Sequence, residues 1–305
     1  MQLPLPILLY RRIVTLPALL HPGALQVQHF ERQIRWLQQW CRLLPVSVAV
    51  RQLQERTLPA RAIALTFEDV CADHLHLALP VLQRHGVPAA FFVSSGLLDG
   101  QPSWRDNIIA LVRQAAGPRL CLARAGFGSF DIGCLRRRCA VIALLLDALS
   151  SLPAAERRRR MAAVPQSDTG GGLHPDHLLA LHRAGMEIGA CAISEHPLTR
   201  LSNAEARAEI ATSRAQLEDI VQAPVTLFSY PNGMPGNDFE RRHGNMLRAA
   251  GFAAAVTTAQ AAAHCGSDVF ALPRVTLGKR AGPGLCLPLT RHWLSCAGPA
   301  MPMAN

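Results

Sequence analysis

An apolar run of six residues, Ala62–Phe67, followed by leucines at helical spacing and then by a second apolar run, narrows the folds open to this chain more than any other feature. Leu75, Leu79 and Leu82 share one stripe of a helix, Gly86 stops it and Pro88 stands just beyond. Residues 87–94 then read as a second strand. Strands that are apolar without alternation are buried on both faces, as in a parallel sheet covered by helices. A connection of this length can carry the chain back to a parallel partner, which a tight hairpin cannot. The segment is expected to be a βαβ unit.

The same alternation extends along the chain. Ile7–Tyr10 reads as a short strand, and residues 28–40 as a helix with Phe30, Ile34 and Leu37 on one stripe. Pro175–Arg183 is a helix closed by Gly185, and residues 186–193 are a strand. Ser202-Asn203-Ala204-Glu205 is a capping box that opens a helix carrying Ala206, Ile210, Leu217 and Ile220 on one side. Residues 225–230 and 252–257 are strands, with a helix at 245–250 between them. Residues 100–172 break the rhythm with a Gly- and Arg-rich stretch, an apolar helix around 140–149 and Gly170-Gly171-Gly172. They read as an insertion, or lid, between barrel strands. Half of the 305 residues are hydrophobic but only 5% are aromatic, so the core is built mainly from Leu, Val, Ile and Ala. That suits one α/β barrel of roughly 250 residues plus an insertion. The expected organisation is a barrel over residues 7–280, with the insertion at about 100–172, and a loose tail over 281–305.

The formal net charge of +10 is carried almost wholly by arginine, since Lys279 is the single lysine. Such a balance can favour polyanions. However, the longest basic run, Arg157-Arg158-Arg159-Arg160, has no interleaved aromatics for base stacking and reads as the exposed face of a helix start. No nucleic-acid partner is expected. The nine cysteines form no Cys-x-x-Cys pair and no disulfide framework, which fits small apolar residues in a reducing compartment. The start, Met1-Gln2-Leu3-Pro4-Leu5-Pro6, lacks the charged n-region of a signal peptide, and no run is long enough to span a bilayer. A cytoplasmic location without a transmembrane segment is the expectation.

Three strands end in polar residues where a parallel barrel carries its active site, at the C-terminal face. The first ends in Thr66-Phe67-Glu68-Asp69, whose adjacent carboxylates point in different directions, so that one can bind a metal while the other acts as a base. The second runs into Cys191-Ala192-Ile193-Ser194-Glu195-His196-Pro197, where Cys191 with Glu195, or with His196, can supply two ligands of kinds zinc accepts. The third ends in Phe228-Ser229-Tyr230-Pro231-Asn232-Gly233, a turn able to present backbone N–H groups to an oxyanion. No Gly-x-Ser-x-Gly elbow appears, which argues against Ser/His/Asp catalysis.

These segments carry a resemblance. Leu65-Thr66-Phe67-Glu68-Asp69, Leu79-Pro80-Val81-Leu82 and the run from Gly86 to Val93 resemble the first half of a polysaccharide deacetylase domain, carbohydrate esterase family 4. The run from Ala184 to Ala190 is similar to the approach to that family's His-x-x-x-His motif, and Phe228–Gly233 to its third motif. Tyr10, the helix bearing Phe30 and Leu37, and Leu272-Pro273-Arg274 are similar to flanking features of a bacterial subgroup. The resemblance implies a distorted (β/α) barrel that hydrolyses an acetyl group on a carbohydrate, expected to be N-acetylated. It also implies a divalent metal, here expected to be zinc, that polarises the acetyl carbonyl and activates a water.

Carried over by position, Glu68 takes the place of the base and Asp69 that of the metal-binding Asp. Cys191 and Glu195 stand at the two His ligand positions, with His196 as the alternative ligand one residue later. Tyr230 supplies an oxyanion N–H, and Trp104, Pro231 and Arg274 are the expected substrate contacts. The sequence also departs from the family pattern. Val70 replaces a Gly, Cys71 a common aromatic, and Arg11 stands where the subgroup has a His. The expectation is a metal-dependent carbohydrate deacetylase of reduced activity. The alternative is a catalytically inactive member that binds a glycan or a partner protein.

Overall fold

The computed structural model describes residues 4–15, 20, 23–100, 103–167, 172–278, 282–285 and 289–290. The tail expected over 281–305 lies almost wholly outside these residues, as do Gly170 and Gly171 of the insertion.

Eight parallel strands form the main sheet: β1 (Ile7–Tyr10), β2 (Arg42–Leu44), β3 (Ala62–Phe67), β4 (Ala90–Val93), β5 (Glu187–Ala190), β6 (Leu227–Ser229), β7 (Ala254–Gln260) and β8 (Leu272–Arg274). Their order is β1-β3-β4-β5-β6-β7-β8. One edge of β3 is shared, with β2 beside Ala62–Ala64 and β4 beside Thr66 and Phe67. Just past β8, Val275 donates to Ile7 O at 2.7 Å and accepts from Leu9 N at 2.9 Å, which brings the last strand back to the first. The result is a nearly closed (β/α) barrel of the deacetylase type, with helices around it.

Side-chain alternation explains how the barrel fills. Ile7, Ala62, Ala64, Ala90, Phe92, Leu227, Ala254, Val256 and Leu272 form one buried cluster, and the residues between them, such as Leu8, Ile63, Leu65, Phe91 and Phe228, pack in a second cluster with the helices. Four inner positions are alanine, and Phe92 occupies the remaining space. Gly189 makes room for it, since a Cβ there would sit 2.5 Å from the Phe92 ring. Period two carries the inner face of β3 from Ala62 through Ala64 and Thr66 to Glu68, so the first residue past the strand continues the inner row.

The observed strands are shorter than the apolar runs that announced them. The run at 87–94 yields only Ala90–Val93, because Val87 N still closes the preceding helix on Leu82 O and Pro88 offers no donor. The run at 186–193 yields Glu187–Ala190. The helix expected at 245–250 begins earlier, at Arg241. The short strands β2 and β8 and the helix Val46–Gln54 were not anticipated.

Residues 104–164 hold a third buried cluster, which includes Ile108, Val112, Ile132, Leu145 and Leu149. It sits between the helices Trp104–Gln114 and Leu135–Ser150, with an antiparallel hairpin of Arg119–Cys121 and Ser129–Asp131 alongside. Ser103 caps the first helix, its Oγ accepting from Asp106 N at 3.2 Å. The arginine run falls on the helix Ala154–Ala162, but the exposed-face reading holds only for Arg158 and Arg159. Arg157 turns inward and is buried. No helix among the described residues is long and apolar enough to cross a membrane.

Candidate active site

At the C-terminal ends of the strands a cavity of about 200 Å³ is lined by Glu68, Asp69, Cys191, Glu195, Tyr230 and Pro231. The insertion adds Arg105, Asp106, Ile109 and Leu146, and the loop after β1 adds Arg11 and Arg12. Six of the nine expected site residues therefore meet in one place. His196, Trp104 and Arg274 do not line it.

Glu68 extends β3 by one residue, its N–H donating to Tyr10 O at 3.0 Å. Its Oε1 accepts from both Ser229 Oγ and the Arg274 guanidinium. Arg11 approaches the other oxygen at 3.9 Å. Asp69 follows in the left-handed region at φ 51°, an uncommon setting for a residue other than glycine and one found at sites where the fold holds the backbone in place. The neighbouring Val70 has no such φ, so the Gly that the family pattern has there is not replaced at a left-handed position in this chain.

Cys191 leaves β5 with its N–H on Val93 O at 2.8 Å, while Ser213 Oγ donates to its carbonyl. Burial, and then the charge of Glu68, pushes its thiol up to about 12. Glu195 sits deeper in the loop, with Oε2 buried and without a hydrogen-bond partner. Burial pushes this carboxyl up to about 7; Arg105 and Arg157 oppose that rise, and Asp69 and Asp106 add to it. Asp69, Cys191 and Glu195 therefore line one cavity, the last two as groups that burial makes resist ionisation.

A divalent metal needs deprotonated donors in number. Among the described residues no three His, Cys, Asp or Glu side chains are grouped so as to hold a metal ion. The expected zinc set of Asp69, Cys191 and Glu195 does not fit the ion: the three are not grouped so as to hold it, and burial makes Cys191 and Glu195 harder to deprotonate.

The alternative ligand His196 is turned elsewhere. It is buried, and its Nδ1 accepts from Arg157 Nη2 at 3.0 Å. Since a guanidinium only donates, this imidazole is neutral, and burial together with Arg157 pushes it down to about 4. Trp104 is half-buried at the start of its helix and lies between two guanidiniums, Arg105 at 4.5 Å and Arg157 at 5.0 Å from the ring centroid. Arg274 is fully buried inside the barrel, with Nε on Thr257 O at 2.6 Å. The expectation of substrate contact is thus corrected for Arg274: it reaches the site only through Glu68.

Tyr230 lines the cavity, and its N–H bonds weakly to Val256 O at 3.4 Å. Its ring stacks on Phe239 at 3.6 Å, and its hydroxyl donates to Phe270 O at 2.8 Å. Next to Pro231, Asn232 is left-handed at φ 58° and accepts from Arg105 Nη2 at 2.8 Å, tying the insertion to the barrel.

Two further wall residues, Arg12 and Cys71, have no role assigned from the sequence. Arg12 binds Asp106 at 2.7 Å and donates to Cys71 Sγ. Cys71 in turn lies 3.4 Å from His74 Nδ1. The signal was available as Cys71-Ala72-Asp73-His74, a Cys-x-x-His spacing that puts both side chains on one side of a helical turn.

Residues 55–255 match the family model described as polysaccharide deacetylase. None of the curated proteins compared matches the chain. Among solved structures, the chain is similar to the Streptococcus pyogenes deacetylase PplD, determined with acetate, at 15% identity and a TM-score of 0.64, covering 96% of this chain and 99% of that one. It is similar to IcaB from Ammonifex degensii at 17% identity and a TM-score of 0.62, covering 96% and 98%. A de-N-acetylase from Aggregatibacter actinomycetemcomitans follows at 12% identity and a TM-score of 0.61, covering 93% and 98%. At such identities the likeness is one of fold.

Proposed function

Because this chain belongs to the polysaccharide deacetylase family, we propose that its barrel-mouth cavity receives an acetylated carbohydrate and that hydrolysis of the acetyl group there is slow. The observation that carries this reading is the convergence of Glu68, Asp69, Cys191, Glu195, Tyr230 and Pro231 on one cavity at the strand ends. Slowness follows from the same residues. Oε1 of Glu68 is committed to Arg274 and Ser229, which leaves only Oε2 to take a proton from water. Burial makes the Cys191 thiol and the Glu195 carboxyl give up their protons less readily than usual. The family supports a carbohydrate substrate, and we take the acetyl group to be an N-acetyl one.

Binding without turnover is the second reading. The hold of Arg274 and Ser229 on Oε1 favours it, since it leaves only Oε2, which Arg11 approaches at 3.9 Å, to take a proton. Acetate release from acetylated chitooligosaccharides, measured beside calorimetric binding of the same sugars, separates the two. Binding with slow release supports the first reading and binding with none supports the second. Neither binding nor release sinks both. A reducing, cytoplasmic setting agrees with Cys71, Cys121, Cys134, Cys191 and Cys265 being thiols.

A further inference from the structure

The side of the cavity built by the insertion carries positive charge that acetyl hydrolysis does not use. Arg105 lines the cavity, and its Nη2 donates to a neutral acceptor, Asn232 Oδ1, at 2.8 Å. Its guanidinium lies 4.5 Å from the Trp104 ring centroid, and that of Arg157 lies 5.0 Å from the same centroid. Arg157 is only 5% exposed, and its Nη2 donates to a neutral ring nitrogen, His196 Nδ1, at 3.0 Å. Arg105, Arg158 and Arg200 all stand close enough to act on Arg157 as like charges. Among the described residues none of these four arginines forms an ion pair. Like charges gathered on one side of a cavity, one of them taken out of water, are costly until an opposite charge meets them. The acids nearby do not supply it. Asp106 is paired with Arg12 at 2.7 Å, and Glu68 is held by Arg274 from inside the barrel. Glu195 attracts Arg105 and Arg157, and Asp238 attracts Arg200, without an ion pair in either case. Asp69 belongs to the barrel side of the cavity, next to Glu68.

We propose that this cavity takes an acidic glycan, in which a carboxylate on the sugar beside the acetylated one pairs with Arg105, backed by the charge of Arg157. The proposal rests on the deacetylase reading and deepens it by naming the substrate class of the same site. A guanidinium offers a planar fork of N–H donors that a carboxylate accepts two at a time, which a sugar hydroxyl cannot do. Asn232 holds Arg105 by one Nη, so the guanidinium keeps other donors for a ligand. The Trp104 ring beside it steadies the group from a second direction. A glycan that alternates acidic and N-acetylated sugars puts its carboxylate one ring away from the acetyl group. The acetyl group then faces the residues at the strand ends, and the carboxylate faces the insertion. Arg11, which lines the cavity from the loop after β1 and reaches Glu68 only at 3.9 Å, adds positive charge to the same wall. The formal net charge of +10 acts in the same direction at longer range and speeds the encounter with an acidic chain.

The test is calorimetric titration of the full chain, in about 0.15 M salt so that distant charges are screened. The probes are a hyaluronan hexasaccharide, in which N-acetylglucosamine alternates with glucuronate, the same sugar with its carboxylates methyl-esterified, and chitohexaose. The acid sugar should bind roughly 10-fold or more tightly than its ester and than chitohexaose, the share of a charge-assisted hydrogen bond. Arg105→Gln should erase most of that preference. Arg136→Gln removes a positive charge from an exposed position on the helix Leu135–Ser150, away from the cavity wall, and should keep it. Equal binding of the acid sugar and its ester to the unmodified protein overturns the proposal and leaves the deacetylase reading standing, whether or not either variant folds. A preference that Arg105→Gln and Arg136→Gln weaken equally also overturns it, because the preference then belongs to net charge and not to the cavity wall. Binding of none of the three sugars overturns both the proposal and the carbohydrate reading on which it rests.

Discussion

Arg274 and Glu68, 206 residues apart in sequence, form an ion pair inside the barrel mouth, with the guanidinium wholly buried and the carboxylate nearly so. Both belong to the inner row of their strands, Arg274 at the end of β8 and Glu68 one residue past β3. Ser229, at the end of β6, donates to the same carboxylate oxygen. The pair therefore joins the ends of three strands at the face where the site is built, and it makes Glu68 part of the frame.

Removing one member should leave the other charged and unpaired out of water. Arg274→Met is expected to lower unfolding free energy by roughly 3–5 kcal/mol, the cost of breaking a buried pair from one side. The double change Glu68→Gln with Arg274→Met should recover much of that loss, because no charge then remains without a partner. Urea unfolding of Arg274→Met, Glu68→Gln, the double variant and the parent measures the coupling. Equal losses in single and double variants would show that the pair is not the stabilising unit.

Tyr230→Phe tests whether this motif residue acts through its side chain. The hydroxyl donates to Phe270 O in the interior, away from the cavity, and burial drives its pKa well above the ordinary range. Loss of that bond should cost about 1–3 kcal/mol, since it leaves a buried carbonyl unsatisfied. Glycan binding and acetate release should stay at the parent level. A large loss of binding in a variant with a normal melting curve would put the hydroxyl in the site after all.

Much of the barrel was legible because burial on both faces writes itself as an uninterrupted apolar run. Ala62–Phe67 is the clearest case and is a strand over its full length. The capping box at Ser202 and Glu205 was equally readable, since both of its hydrogen bonds join residues three apart. Arg42–Leu44 and Leu272–Arg274 were not legible as strands: each has three residues, begins or ends in arginine and owes its conformation to neighbours far away in the chain. The roles of Arg274 and Arg157 were hidden for the same reason. An arginine reads as exposed until the fold supplies Glu68 for one, and His196 with the Trp104 ring for the other. Convergence of Glu68, Asp69, Cys191 and Glu195 followed from strand-end positions, whereas the resistance of Cys191 and Glu195 to ionisation follows from burial that only packing creates.

Buried imidazoles weaken the fold in acid, His74 and His196 most strongly and His243 in the same direction. His74 and His196 are each pushed down to about 4, mainly by burial. Between pH about 4 and the unfolded value of 6.5, the unfolded chain binds more protons than the folded one, so stability falls as pH drops through that window. Each ring contributes up to roughly 3 kcal/mol at about 1.4 kcal/mol per pH unit of difference. Glu195 acts in the opposite sense. Its folded value of about 7 exceeds the unfolded 4.5, so its contribution is present at low pH and lost as pH rises toward 7. The two rings outweigh it, and urea midpoints should fall from pH 6.5 to pH 4.5. His196→Gln should flatten that fall. An unchanged pH slope in the variant would show that His196 is already charged in the folded protein.

Zinc uptake separates a site that has lost its ion from one that binds it in another way. Asp69, Cys191 and Glu195 are not grouped so as to hold an ion, and burial resists deprotonation of the last two, so the unmodified protein dialysed against zinc is expected to retain well under one ion per chain by elemental analysis. Cys191→His with Glu195→His would supply two imidazoles, which bind as neutral donors and reach further than a thiol. That variant should retain close to one zinc per chain. Activity needs a further change, because Glu68 remains held by Arg274. Glu68→Asp draws the carboxylate back by about 1 Å, a displacement that can alter rate on the order of 100-fold when it restores or spoils alignment. Added to the two histidines, it should raise acetate release from acetylated chitooligosaccharides above both the parent and the double variant. Stoichiometric zinc in the unmodified protein, lost on Cys191→Ala, would show instead that the thiol is a ligand and that the ion itself drives off the proton that burial otherwise keeps in place.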